Sequence, residues 1–104
     1  MKVITLDFDF EKFVRSLQKP TISKYIRLVD LLEKFGDQLR MPYSKPVRKG
    51  LFELRIRGTQ EVRIFYTFHK RQAVLLHGFV KKAQKTPLNE IEVATSKLIE
   101  LTKT

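Results

Sequence analysis

"LFELRIRGTQEVRIFYTF", residues 51–68, decides how this chain folds. Phe52, Leu54 and Ile56 point one way while Glu53, Arg55 and Arg57 point the other, because side chains alternate between the faces of a pleated strand. Gly58 to Gln60 provide a turn, and the return run sets Ile64, Tyr66 and Phe68 against Arg63, Phe65 and Thr67. The stretch therefore predicts an antiparallel hairpin whose apolar face, Tyr66 included, packs on something else. "KRQ" (70–72) makes the next turn, and "AVLLHGFV" (73–80) is apolar at both parities, as expected of a strand covered on both sides.

Outward from this sheet the period becomes helical. Phe10, Phe13, Val14 and Leu17 share one helix face, with Asp7 or Asp9 available near its start and Pro20 ending it. Ile22, Ile26, Val29 and Phe35, joined by Leu28, Leu31 and Leu32, form a second stripe that Gly36 stops. Residues 37–50, with Pro42, Pro46 and Gly50, read as a surface connector. Thr86-Pro87 signals the start of a helix that continues through Ile91, Ala94, Leu98 and Leu101. The expected fold class is α+β: a helical hairpin on a small three- to four-stranded antiparallel sheet, with a C-terminal helix. "KVITLDF" (2–8) is the open choice for the extra edge strand, and residues 1–104 form a single domain.

The bulk composition narrows the function. Hydrophobic residues make up 42% and charged residues 31%, the balance of a folded protein and not of a disordered tail. Twenty-one Lys and Arg against eleven Asp and Glu leave a net charge of +10, which suits a polyanion such as nucleic acid or an acidic protein. Cysteine is absent, so a disulfide framework is excluded and a reducing, cytoplasmic setting is expected. Asp7, Asp9 and Glu11 break the apolar run that an export signal would need. Ala73 to Val80 is too short to span a bilayer, so no membrane association is expected.

Parity gathers charge on one face of the sheet. If Phe52, Leu54 and Ile56 pack on the helices, Arg55 and Arg57 emerge opposite, joined by Arg63 from the neighbouring strand, which is expected to face solvent. Only Glu53 and Glu61 interrupt these positive residues. A face kept merely soluble usually mixes signs, and like charges opposed across strands weaken the pairing. An anionic occupant is therefore expected. Lys81, Lys82 and Lys85 follow the last strand and can close over the same surface.

Conventional catalytic sets are missing: only His69 and His77 occur, with no metal-ligand spacing. His69 reads as surface-polar, His77 as a hydrogen-bonded core histidine, and Gly78 as a close-packing or bulge position. RNA cleavage needs neither histidine nor metal. A 2′-hydroxyl can attack its own phosphate when one group takes its proton, cations stabilise the developing charge, and another group protonates the leaving oxygen. Arginine grips phosphate oxygens, and crowding by other cations lowers a lysine's pKa toward usable values.

The blocks "KGLFELRIRG…EVRIFYTF…AVLLHGFVKKAQKTP…EIEVA", within residues 49–94, resemble the RelE/ParE superfamily of toxins from bacterial type II toxin–antitoxin pairs, in particular the HigB-like, phage-derived branch. The resemblance implies a RelE-like fold and a ribosome-dependent mRNA endonuclease that needs no cofactor or metal and inhibits translation. It places Arg55 and Arg57 among the residues lining the RNA site and Arg63 at the arginine that stabilises the transition state. Lys82 falls at a phosphate or leaving-group contact with Lys81 beside it, and Lys49 and Lys85 are further RNA contacts. Glu53 stands where the best-known nucleases carry a lysine, and Thr86, Pro87 and Leu88 stand where a tyrosine is expected. The general base thus stays open: Glu53 either accepts the proton or, the favoured role, orients Arg55 or Arg63. The implied partners are mRNA on the ribosome and an antitoxin from a neighbouring gene, commonly with a helix-turn-helix DNA-binding domain.

The alternative is a non-enzymatic toxin of the ParE kind that inhibits DNA gyrase by protein contact, a task that does not require Arg55, Arg63 and Lys82 to converge. A double-stranded-RNA-binding module places a single helix before its strands, whereas two helices precede them here.

Overall fold

Alternating residues that must bury one face dictate the centre of the molecule. The structure, a computed structural model, describes residues 1–103. Its elements run β1 (Lys2–Thr5), α1 (Phe8–Arg15), α2 (Lys19–Phe35), a 3₁₀ turn (Gly36–Gln38), β2 (Ser44–Arg48), β3 (Leu51–Ile56), β4 (Val62–His69), β5 (Gln72–Val80) and α3 (Leu88–Thr102). One sheet of order β1-β5-β4-β3-β2 holds all five strands. The pairs from β2 to β5 are antiparallel and β1 runs parallel to β5.

This sheet is larger and more mixed than the three- to four-stranded antiparallel one expected. "KVITLDF" does supply an edge strand, but a parallel one, since the chain must cross the sheet through α1 and α2 before reaching β5. The second addition, β2, falls inside the stretch expected to be a connector. Pro46 hides it, because proline has no N–H to give to a ladder, yet an edge strand needs only one bonded side.

Parity in the central hairpin is as expected. Leu54, Ile56, Ile64 and Tyr66 are buried against Phe10, Leu17, Leu28 and Leu32 of the helical layer. The opposite face carries a second core of Leu51, Phe65, Val74, Leu76, Phe79 and Ala94, flanked by Ile91, Leu98 and Leu101 of α3. Both parities of β5 are buried because helices cover both sides. A bulge at Phe65/Tyr66 in the β4–β5 register leaves Leu76 as the extra residue. It sets both Leu76 and His77 on the α3 side, Leu76 in that core and His77 stacked on the Phe65 ring.

Several local signals resolve differently from their first reading. Asp7, not Asp9, caps α1, accepting from Phe10 N–H at 2.9 Å. Pro20 does not terminate α1, which stops at Arg15; it sits in the first turn of α2, where a missing N–H goes unnoticed. Gly36 closes α2 at φ 53°, as expected. The buried stripe of α2 is Thr21, Leu28 and Leu32, leaving Ile26 and Phe35 exposed. Pro87 rather than Thr86 occupies the N-cap of α3, and the Thr86 hydroxyl serves elsewhere. His77 is hydrogen-bonded as expected, to Glu90 at 2.7 Å, but is only half-buried.

Gly78 is a close-packing position. A Cβ there would collide with the Phe13 ring, so the helical layer could not seat on β5 unchanged. Gly78→Ala is expected to destabilise the fold by about 1–3 kcal/mol through overpacking. Urea unfolding checks this, with Phe13→Leu in the same chain recovering part of the loss.

Candidate functional site

Strand register opposes two guanidinium groups. Arg55 on β3 lies directly across from Arg63 on β4, on the face that the helical hairpin does not cover. The apolar residues of α3 close over Leu51, Phe65 and Phe79 of the same face, but the Arg55–Arg63 end stays open. There the segment after β5 turns back across the sheet, anchored where Lys81 N–H donates to Glu61 C=O at 2.6 Å.

Two adjoining clefts result, of about 380 and about 510 Å³. Both are lined by Arg55, Arg63, Lys81 and Gln84 and so form one trough. The first adds Lys45, Glu53, Lys85 and Thr86; the second adds Arg57, Glu61 and Lys82. Seven cations therefore face two carboxylates, an imbalance that favours a bound anion.

Arg63 forms the floor and is only 2% exposed. Parity places it on the expected face, but the expectation that it meets solvent is overturned: Lys81 and the chain beyond it roof the strand. Its Nη1 donates to the Val62 carbonyl at 3.1 Å and the Ile56 carbonyl at 3.4 Å. Its Nη2 reaches Glu61 Oε1 at 3.4 Å, and its Nε lies 4.0 Å from Glu53 Oε1. Glu53 is itself 1% exposed and accepts from the Thr86 hydroxyl at 3.1 Å, with Lys45 Nζ at 3.9 Å. Two carboxylates thus hold one arginine rigidly and leave its face toward the trough. For Glu61 burial pulls the pKa upward, but the Gly58 N–H together with Arg63 and Arg57 outweighs it and keeps the carboxyl below its usual range.

Lys81 is half-buried in the trough, its ammonium donating to the Gln84 carbonyl. Burial first, then repulsion from Arg63, Arg55 and Lys45, lowers its pKa despite the opposing pull of Glu53. A lysine so placed can exchange a proton more readily than an ordinary one. Lys82 and Lys85 are exposed at the rim. Arg57 is exposed as well and lies 3.7 Å from Glu61. Arg55 Nε is buried without a partner.

The sequence-predicted residues Glu53, Arg55, Arg57, Arg63, Lys81, Lys82 and Lys85 therefore converge. Lys49 does not: it lies in the β2–β3 turn beside Gly50, the length of a strand away from Arg55. Lys45, Gln84 and Thr86 line the trough without having been foreseen as site residues. Lys45 was hidden with its strand, and its pairing opposite Glu53 exists only once β2 is recognised. Among the described residues no group of three or more His, Asp or Glu could hold a metal ion.

Removing Arg63 should strand a buried charge. Arg63→Ala is expected to lower stability by about 3 kcal/mol, the usual penalty for breaking one side of a buried ion pair. Adding Glu53→Gln should restore part of it, and urea unfolding of the two single variants and the double variant measures the coupling.

The family model described as "Phage derived protein Gp49-like (DUF891)" matches residues 12–98. The fold is similar to that in the crystal structure of an archaeal RelE–RelB complex from Pyrococcus horikoshii OT3, with a TM-score of 0.56 at 19% identity, covering 82% of this chain and 97% of that one. No curated protein matches the sequence. Because the family model runs from the first helix into the last and takes in the whole charged trough, the chain belongs to the phage-derived Gp49-like family.

Proposed function

We propose that this chain is the toxin of a toxin–antitoxin pair and an endoribonuclease that cuts messenger RNA on the ribosome within the trough. One observation carries the reading: a buried, carboxylate-held Arg63 opposes Arg55 across one rung of the sheet, beside a lysine of lowered pKa. A solubilising surface has no use for a nearly inaccessible guanidinium ringed by further cations.

The chemistry follows from these groups. Arg55 binds the non-bridging oxygens of the scissile phosphate, and the buried Arg63 beneath it adds its positive charge, so that together they stabilise the charge that grows as the 2′-hydroxyl oxygen attacks phosphorus. Neutral Lys81 takes the hydroxyl proton. The bond from phosphorus to the 5′-oxygen breaks, leaving a 2′,3′-cyclic phosphate on one fragment and a 5′-hydroxyl on the other, protonated by Lys82. Glu53 is buried beneath the site and orients Arg63. Lys45, Arg57 and Lys85 hold flanking phosphates and make binding salt-dependent. The family supports the toxin reading, and the complex in which the related fold was solved supports an antitoxin partner. An acidic segment of such an antitoxin would meet the trough with complementary charge.

Mapping of mRNA 5′ ends after induction tests the proposal. Wild type should produce new in-frame cuts bearing 5′-hydroxyls, and Arg55→Ala and Lys81→Ala should each reduce them at least about a hundredfold, as for loss of a general base or of an oxyanion donor. Growth arrest without new cuts would move the assignment to gyrase inhibition.

The pH dependence carries a definite sign. With Lys81 as base, only its neutral form works, so the cleavage rate on programmed ribosomes should rise with pH. The rise should level off below the pKa of an ordinary lysine, because Lys81 is shifted down. Lys81→Arg should abolish that rise.

A further inference from the structure

A third cleft, of about 250 Å³, opens between α2 and the β2–β3 edge and shares Arg55 and Arg57 with the lining of the trough. Its walls differ in kind: Leu28, Leu31, Pro42, Tyr43 and Ile56 make it largely apolar, with Lys24 and Arg27 at the rim. Lys24 Nζ is committed to the Arg57 carbonyl at 2.6 Å, which ties α2 to the end of β3. Tyr43 is 44% exposed and lines the cleft, and its backbone carbonyl accepts from Arg55 N–H at 2.9 Å, which pins its main chain beside Arg55.

A phosphate gains nothing from apolar walls, whereas a nucleobase does: it has a flat apolar face to stack and a polar edge to satisfy. Resting on the assignment of the trough to an RNA phosphate, we propose that this cleft receives the base adjacent to the scissile bond. Tyr43 is its stacking platform and Arg27 its edge-reading donor. Arg55 joins the two sites, because it lines both. With its base seated and its phosphate held, the nucleotide loses the freedom to stay stacked on its neighbour, which is what in-line attack by the 2′-oxygen requires.

The test compares the full chain with Tyr43→Ala and Tyr43→Phe in two readouts. Equilibrium binding is measured for a short oligoribonucleotide and for the same strand with one abasic position. Cut sites are mapped on mRNA after induction. Tyr43→Phe should behave as wild type. Tyr43→Ala, folded by circular dichroism, should lose about tenfold in binding to the intact strand, lose the distinction between intact and abasic strands, and redistribute its cuts among bases. If wild type cuts and Tyr43→Ala cuts at the same positions and rate, the base site is wrong while the nuclease reading stands. If wild type makes no cuts yet prefers the intact strand in a Tyr43-dependent way, the nuclease reading falls and the base site remains. Unchanged RNA binding and cutting with lost neutralisation by an antitoxin would reassign the cleft to a protein partner and overturn the proposal.

Discussion

Arg63 cannot stand alone where the fold puts it. A guanidinium shielded from water on a strand that faces Arg55 would be expelled or would weaken the hairpin, because burial of a charge is tolerated only when that charge is paired. Glu53 from the neighbouring strand and Glu61 from the preceding turn supply the pairing. The Thr86 hydroxyl then holds Glu53, which brings the segment before α3 down over the sheet. The floor, the roof and the electrostatics of the trough all descend from this arrangement. Two carboxylates are enough to keep the arginine in place, and too few to neutralise the cations around it.

The two-sided sheet explains why the site lies where it does. The helical hairpin packs over Leu54, Ile56, Ile64 and Tyr66 of one face, which leaves the arginines to the other. On the other face α3 is an amphipathic helix whose apolar residues pair with Leu51, Phe65, Val74, Leu76 and Phe79, a core that runs up to the Arg55–Arg63 rung at Phe79, the cross-strand neighbour of Arg63. The charged end stays uncovered because burying opposed arginines beneath an apolar helix would leave them without partners. Cleft and core are thus consequences of one alternation carried along the same strands.

Much of the site was legible because strand parity converts spacing into position: Glu53, Arg55 and Arg63 share a face for the same reason that Leu54, Ile56 and Ile64 share the other. Lys81, Lys82 and Lys85 follow from the end of β5. Lys45 was illegible, since Pro46 disguises β2 and only the cross-strand pairing reveals its place opposite Glu53. Lys49 misled for a related reason: nearness in sequence to β3 puts it at the wrong end of that strand.

What the sequence by itself determined was the alternation, the helical stripes and the excess of positive charge, because each depends on neighbours a few residues apart along one chain. Tertiary structure alone decided the parallel pairing of β1, the depth of Arg63 and the lowered pKa of Lys81. Those depend on which groups from distant segments share a small volume from which water is excluded, and local periodicity carries no record of that distance.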